Sequence, residues 1–419
     1  MRKSTLGYSV KNMNSKKLNG STNQIPDSQF QQPETTDQRP SAGNRYRASN
    51  IQYPASSIPH RVSPLKRDLR FTPTSNEASP STPRPFIIPI FIPHAGCPHQ
   101  CVFCNQVSIT GAKNKMATPA GLRFQIREFL KYKKENRKPV QIAFFGGNFL
   151  GLKTEEIKSL LDSAVEFVSD GQVDGIRFST RPDTINERSL EMIKDYPVST
   201  VELGVQSMDD QVLVLAGRGH SASDTIRAVE QLKERHFRIG LQMMVGLPGD
   251  DETGALTTTQ GIADLGPDFV RIYPTLVVRN SRLAGWYKSG NYAPLSLEEG
   301  VSLVKKIYLN FIKAGIDVIR MGLQASGDLE DGTIVLAGPY HPAFGHLVHC
   351  EIFLDMAIAE IESANSLKET LTIFVNPRSI SKMRGLNNTN IKRLKEQFHF
   401  QSIEVVPDAS FPEDSLKIQ

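Results

Sequence analysis

Two hydrophobic rhythms alternate along most of this chain. Short, nearly continuous apolar runs occupy Ile87–Pro93, Val140–Gly147, Gly175–Ser179, Thr200–Val205, Arg238–Val245 and Phe269–Tyr273. Their length and continuity predict strands buried on both faces. Between them, stretches near 119–136, 154–168, 186–195, 208–216, 222–236 and 255–264 have helical character. The second is the clearest: Ile157, Leu160, Leu161, Ala164, Val165 and Val168 recur at the spacing of one helix face. Repeated strand–helix alternation predicts a parallel sheet with helical crossovers, and hence an α/β fold.

After Pro274 the rhythm loosens. Helices near 297–314 and 347–365, a loop-rich stretch over 320–346 and a last small unit over 371–406 are expected. The start of the chain is different in kind. Of the first 86 residues, 46 are Ser, Thr, Asn, Gln, Pro or Gly, and the apolar positions there have no period. Such a segment buries too little apolar surface to offset its ordering entropy. The expected organisation is a disordered tail (1–85), a strand–helix repeat region (86–280), an extension associated with it (281–370) and a small α/β unit (371–419).

Charge divides in the same way. The net charge is +5, but residues 1–86 carry 13 Lys+Arg against 5 Asp+Glu, while the rest carries 36 against 39. The basicity therefore belongs to the tail and is no sign of a nucleic-acid surface on the folded part. No apolar run approaches the ~20 residues that span a bilayer. No basic segment followed by an apolar stretch opens the chain, as in a secretory signal. The early cations are mostly Lys with a poor apolar face, which argues against a mitochondrial presequence. A soluble, cytoplasmic protein with no membrane partner is expected.

Candidate chemistry concentrates in one loop. The chain has 4 cysteines, and Cys97, Cys101 and Cys104 lie together directly after the first strand. Three thiolates at x3 and x2 spacing can hold three corners of a cube-shaped iron–sulfur cluster and leave one iron open. The competing reading is zinc, with His94 or His99 as fourth ligand, although His99 is crowded between Cys97 and Cys101. Cys350 is too isolated to build a second cluster and reads as a buried helix residue.

Cys97-x3-Cys101-x2-Cys104, with Phe103 before the last thiol, resembles the radical S-adenosylmethionine (SAM) superfamily. The resemblance implies a partial (β/α)6 barrel with a [4Fe-4S] cluster at the C-terminal mouth of its strands. It implies that the open iron chelates SAM, whose reductive cleavage gives methionine and a 5′-deoxyadenosyl radical. A reductant such as a flavodoxin or ferredoxin is implied with it.

Further segments extend the likeness. Gly146-Gly147-Asn148 at the end of the second strand is similar to the family's Gly-Gly-Glu, whose backbone holds the methionine amino group; Asn148 stands where the Glu would be. Ser179 and Arg181 end the third strand. Glu202 and Gln206 interrupt the fourth, either as partners of a structural ion pair with Arg181 or as hydrogen-bonding groups for the SAM ribose and substrate. Arg218 looks like the family's carboxylate-binding arginine. Gly246, at the end of the fifth strand, either admits the adenine or forms the turn; the Met243–Met244 pair reads as core.

Strand six and the segment after it, from Arg271-Ile-Tyr273-Pro274 to Trp286 and Pro294, resemble a narrower branch. That branch contains the radical SAM part of the Elongator catalytic subunit and its shorter bacterial relatives, and the resemblance covers roughly 86–346. Members that also carry an acetyltransferase modify the tRNA wobble uridine. Only 73 residues come after His346, fewer than an acetyltransferase domain takes, so acetyl-CoA use is not expected here. RNA is the leading substrate expectation. A small-molecule radical enzyme similar to coproporphyrinogen oxidase, and a non-catalytic RNA-binding or cluster-carrying protein, are the alternatives. The run Ser379–Leu394, rich in Lys and Arg around Gly385, resembles a degenerate KH half, although a plain α/β cap is the favoured reading.

Overall fold

The computed structural model describes residues 85–92, 96–105, 118–134, 139–323, 333–364 and 369–419. The expected tail lies outside these residues apart from Pro85, as does His94. Strands β1 (Phe86–Ile92), β2 (Val140–Gly146), β3 (Gly175–Thr180), β4 (Val198–Gln206), β5 (Arg238–Val245) and β6 (Phe269–Pro274) pair in that order, all parallel. The crossovers contain α1 (Pro119–Leu130), α2 (Thr154–Ser169), α3 (Glu187–Ile193), α4 (Asp210–Leu215), α5 (Ala222–Glu234) and α6 (Glu252–Asp264). Past β6 come a short antiparallel pair, β7 (Val277–Val278) with β9 (Val335–Ala337), and helices α7 (Arg282–Lys288) and α8 (Leu297–Lys313). β8 (Asp317–Met321) then adds to β6, so that β1 and β8 form the open edges of a sheet that curls into a half-barrel.

The strand alternation assigns the two faces. Ile142, Phe144, Ile176, Phe178, Val201, Leu203, Leu241, Met243, Val270 and Ile272 point outward and join the main core beneath the helices. Each fully buried aliphatic or Phe side chain in this layer contributes roughly 1.5–3 kcal/mol. The intervening positions face the lumen and are largely polar: Arg177, Ser179, Glu202, Gln206, Gln242 and Arg271. The sheet thus keeps a packed outer layer and a chemically varied interior.

A reciprocal capping box opens α8: Ser296 accepts from the Glu299 amide at 3.1 Å and Glu299 accepts from the Ser296 amide at 2.8 Å. Helix α9 (Phe344–Ser363) contributes Phe344 and Val348 to the main core. Its Phe353, Leu354, Ala357 and Ile361 join a second core. That second core belongs to a small unit of β10 (Thr370–Val375), α10 (Ile380–Arg384), α11 (Thr389–Phe398), β11 (Ser402–Pro407) and β12 (Leu416–Ile418).

The α/β half-barrel agrees with the expected fold and adds to it. The parallel sheet continues past residue 280 through β8. That strand is a half-exposed edge with no buried residue, so it offers no apolar run. Helix α6 begins three residues before the expected position because the Asp251 carboxylate caps it, accepting from the Gly254 amide at 2.8 Å. Among the described residues, no helix is long and apolar enough to cross a membrane.

Candidate active site

The three clustered cysteines sit on the loop after β1, and neighbouring segments hold that loop by its backbone. The Val102 amide donates to the Ala216 carbonyl at 2.9 Å, and the Leu283 amide donates to the Val102 carbonyl at 2.8 Å. Phe103 packs against two small apolar clusters, one from β7 and α7, the other from α4 and the end of β5. Cys97, Cys101 and Cys104 line one cavity of about 360 Å³, which falls in the size range of small-molecule sites. Burial pushes the Cys97 thiol up, an effect opposed by the nearby Arg218 guanidinium.

The end of β2 forms the adjoining wall. Gly146 has φ +111°, and a Cβ there would fall 2.3 Å from the Ile92 carbonyl oxygen, so only glycine fits this crossing. Gly147 lines the cavity beside it. Asn148 does not. Its side chain is fully buried and turns behind the cysteine loop, donating from Nδ2 to the Gly96 carbonyl at 2.8 Å. Its Oδ1 accepts from Thr180 at 2.7 Å, from the Arg181 amide at 3.1 Å and from Thr184 at 3.1 Å. The Asn148 carboxamide is thus engaged in scaffold bonds, which leaves only the backbone for the role that the resemblance implies for this segment.

The polar lumen completes the cavity. Arg181 is held bidentately by Asp183, with both contacts at 2.9 Å, and its Nη1 is buried without a partner among the described residues. The ion pair considered between Arg181 and Glu202 is not formed. Glu202 instead takes two other arginines: Arg177 at Oε1, and Arg271 at Oε2 (2.6 Å) and Oε1 (3.3 Å). Gln206 accepts from Gln242 at 2.7 Å. It sits where the β4–β5 register shifts and has φ +70°, a strained conformation for a residue with a side chain.

Arg218 reaches the same cavity from the turn after α4. It donates to the Gly204 carbonyl at 2.6 Å and to Cys101 Sγ at 3.5 Å, while its Nε is buried without a partner among the described residues. His220, two residues on, contacts the Val205 carbonyl through Nε2 at 3.2 Å. Burial, with Arg218 and Arg181 nearby, pushes its pKa down to about 4, which keeps the ring neutral.

The cavity thus gathers the three thiols with Phe103, Gly146, Gly147, Ser179, Arg181, Glu202, Gln206 and Arg218. Gly246 lies elsewhere. With φ +71° it turns the chain out of β5, its carbonyl accepts from the Tyr292 hydroxyl at 2.6 Å, and it lines a separate hollow with Trp286 and Asp250. The turn that the sequence offered as one reading of Gly246 is present. Arg177, Arg271, Arg320 and Tyr273 were missed as site residues, although charges at alternate positions of apolar strands were a signal for the first two.

This constellation suits a cluster and SAM. The three thiols line one cavity, where each could hold a separate cluster corner. The orphaned donors of Arg181 and Arg218 await an acceptor such as a carboxylate.

Comparison with known proteins agrees. The radical SAM superfamily model matches residues 91–258, and the radical SAM C-terminal domain matches 267–353. An uncharacterized protein of Methanocaldococcus jannaschii is 29% identical over 228 residues, covering 52% of this chain and 70% of its own. A tRNA uridine(34) acetyltransferase of Dehalococcoides mccartyi is 28% identical, covering 47% of this chain and 50% of its own. The chain therefore spans about half the length of that acetyltransferase. The solved archaeal Elp3 of Methanocaldococcus infernus shares the fold, with a TM-score of 0.51 and 22% identity over 64% of this chain and 62% of that one. The chain belongs to the radical SAM superfamily, whose enzymes use a [4Fe-4S] cluster and SAM, and resembles its Elongator-type branch.

Proposed function

We propose that this protein is a radical SAM enzyme acting on RNA, with tRNA as the first candidate. The observation that carries the radical chemistry is the convergence of Cys97, Cys101 and Cys104 with the orphaned donors of Arg181 and Arg218 in one cavity. When bound, the cluster supplies the electron that cleaves SAM into methionine and a 5′-deoxyadenosyl radical. Cys97, Cys101 and Cys104 would hold three irons. Gly146 and Gly147 would present backbone to the methionine amino group, and Arg218 or Arg181 would take its carboxylate. Glu202 and Gln206 lie further along the lumen, where a ribose or substrate can hydrogen-bond. The half-barrel would keep bulk water from the reacting centre.

The RNA half of the reading is supported by the likeness to tRNA-modifying proteins. A cytoplasmic enzyme served by a flavodoxin- or ferredoxin-type reductant is the corresponding setting. The test is 5′-deoxyadenosine formation by the anaerobically reconstituted, reduced full chain with SAM, with and without bulk tRNA. Stimulation by tRNA is expected. Stimulation by a small-molecule fraction instead would move the substrate away from RNA.

A further inference from the structure

The parallel pairing of β6 with β8 places Arg271 directly opposite Arg320. Like charges facing each other across adjacent strands are destabilising unless something lies between them. Both side chains line the cavity that holds the three thiols. The nearby carboxylate does not resolve the conflict. Glu202 gives one oxygen to Arg177 and both to Arg271, so one negative charge already serves two guanidinium groups. Among the described residues, no side chain pairs with Arg320. Arg271 also keeps Nη1, which reaches only the Tyr273 hydroxyl at 3.5 Å. Among the described residues, three arginines stand against one glutamate at this end of the lumen.

Nothing in the packing asks for this charge. Arg320 stands on an edge strand, half-buried, and contributes to neither core. A guanidinium is a rigid planar fork of donors that matches phosphate or carboxylate geometry. β8 is also the opposite edge of the sheet from β1, which leads into the cysteine loop. A group held here would lie in the same cavity as the thiols, at the wall formed by β6 and β8.

We propose that Arg271 and Arg320 form a binding site for an anionic group of the substrate, namely a phosphate of a nucleotide. This rests on the RNA reading above. Arg320 provides a free fork, Arg271 provides its remaining donors, and Glu202 fixes the Arg271 guanidinium in place. The site would select a phosphorylated nucleotide over the bare nucleoside.

The test measures binding to the reconstituted full chain with SAM present. Uridine 5′-monophosphate, uridine and glutarate are compared by calorimetry, the last as a carboxylate source of the same charge chemistry. The monophosphate should bind at least about tenfold more tightly than uridine, as expected for charge-assisted hydrogen bonds. Arg320→Gln should abolish the difference and Arg320→Lys should keep part of it. Arg227→Gln, the same charge change on the remote helix α5, should leave it intact.

Equal affinities for monophosphate and uridine, or no measurable binding of either, would overturn the proposal. So would a difference that survives Arg320→Gln, or glutarate binding as tightly as the monophosphate. Binding is read separately from SAM cleavage, so the two readings fail independently. Cleavage without this discrimination sinks the phosphate site alone, whereas discrimination without cleavage sinks the catalytic reading alone.

Discussion

The Asn148 carboxamide donates to the Gly96 carbonyl at 2.8 Å and so ties the end of β2 to the residue before Cys97. The fit is tight: Gly96 has φ +76°, and a Cβ there would fall 2.3 Å from the Asn148 carbonyl oxygen. Three further bonds to Oδ1 anchor Asn148 to Thr180, Thr184 and the Arg181 amide. A side chain standing where the family carries a glutamate therefore acts as the hinge-pin of the cysteine loop.

Asn148→Asp should separate the two halves of this role. The carboxylate keeps the acceptor for Thr180, Thr184 and Arg181, but it sets an oxygen against the Gly96 carbonyl. Iron loss to a chelator should quicken and the cluster spectrum should broaden. Thr184→Ala removes a scaffold bond without touching the loop, costs about 1 kcal/mol, and should leave iron retention unchanged. Matching chelation rates in all three proteins would contradict the role.

Glu202 bridges Arg177 and Arg271, and Arg177 is almost completely buried. Glu202→Gln should cost about 3–5 kcal/mol, because a buried guanidinium loses its counter-charge. Chemical denaturation of the cluster-free protein measures this. Adding Arg177→Met should recover much of the loss, whereas a loss below about 1 kcal/mol in the single variant would show that the network is solvated.

His220 gives the stability a pH signature. The unfolded ring takes a proton near pH 6.5, whereas the folded ring, held at about 4 chiefly by burial, refuses it. The unfolded state thus binds more protons across that window. The contribution is complete above about pH 6.5 and declines as pH falls toward 4, by roughly 3 kcal/mol. Asp250, raised to about 7 by burial, acts in the opposite sense, with its contribution lost as pH rises through 7. Comparing wild type with His220→Gln at each pH removes the Asp250 effect. The gap between the two proteins should change between pH 7.5 and 4.5, and a constant gap would contradict a neutral buried ring.

Much of this was legible in the residues. The six strands from β1 to β6 were marked by apolar runs, and the thiol spacing identified the loop. The lumen was legible only where a charge broke an apolar strand, as at Glu202. The pairing was not, because the register that brings Arg177 and Arg271 to one carboxylate is a property of strand pairing. Arg320 was hidden for a different reason: β8 is a half-exposed edge strand with no run of apolar residues. The scaffold bonds of Asn148 were not legible either, because a motif records position along the chain, whereas the direction of a side chain depends on what packs behind it.

The most direct test combines electron paramagnetic resonance with product analysis on the anaerobically reconstituted, reduced full chain. The expected result is a [4Fe-4S] signal that shifts when SAM is added, together with formation of 5′-deoxyadenosine. Both should be lost in Cys97→Ala, Cys101→Ala and Cys104→Ala. A wild-type protein that binds no cluster, or a cluster signal indifferent to SAM with no 5′-deoxyadenosine formed, would contradict a radical SAM enzyme.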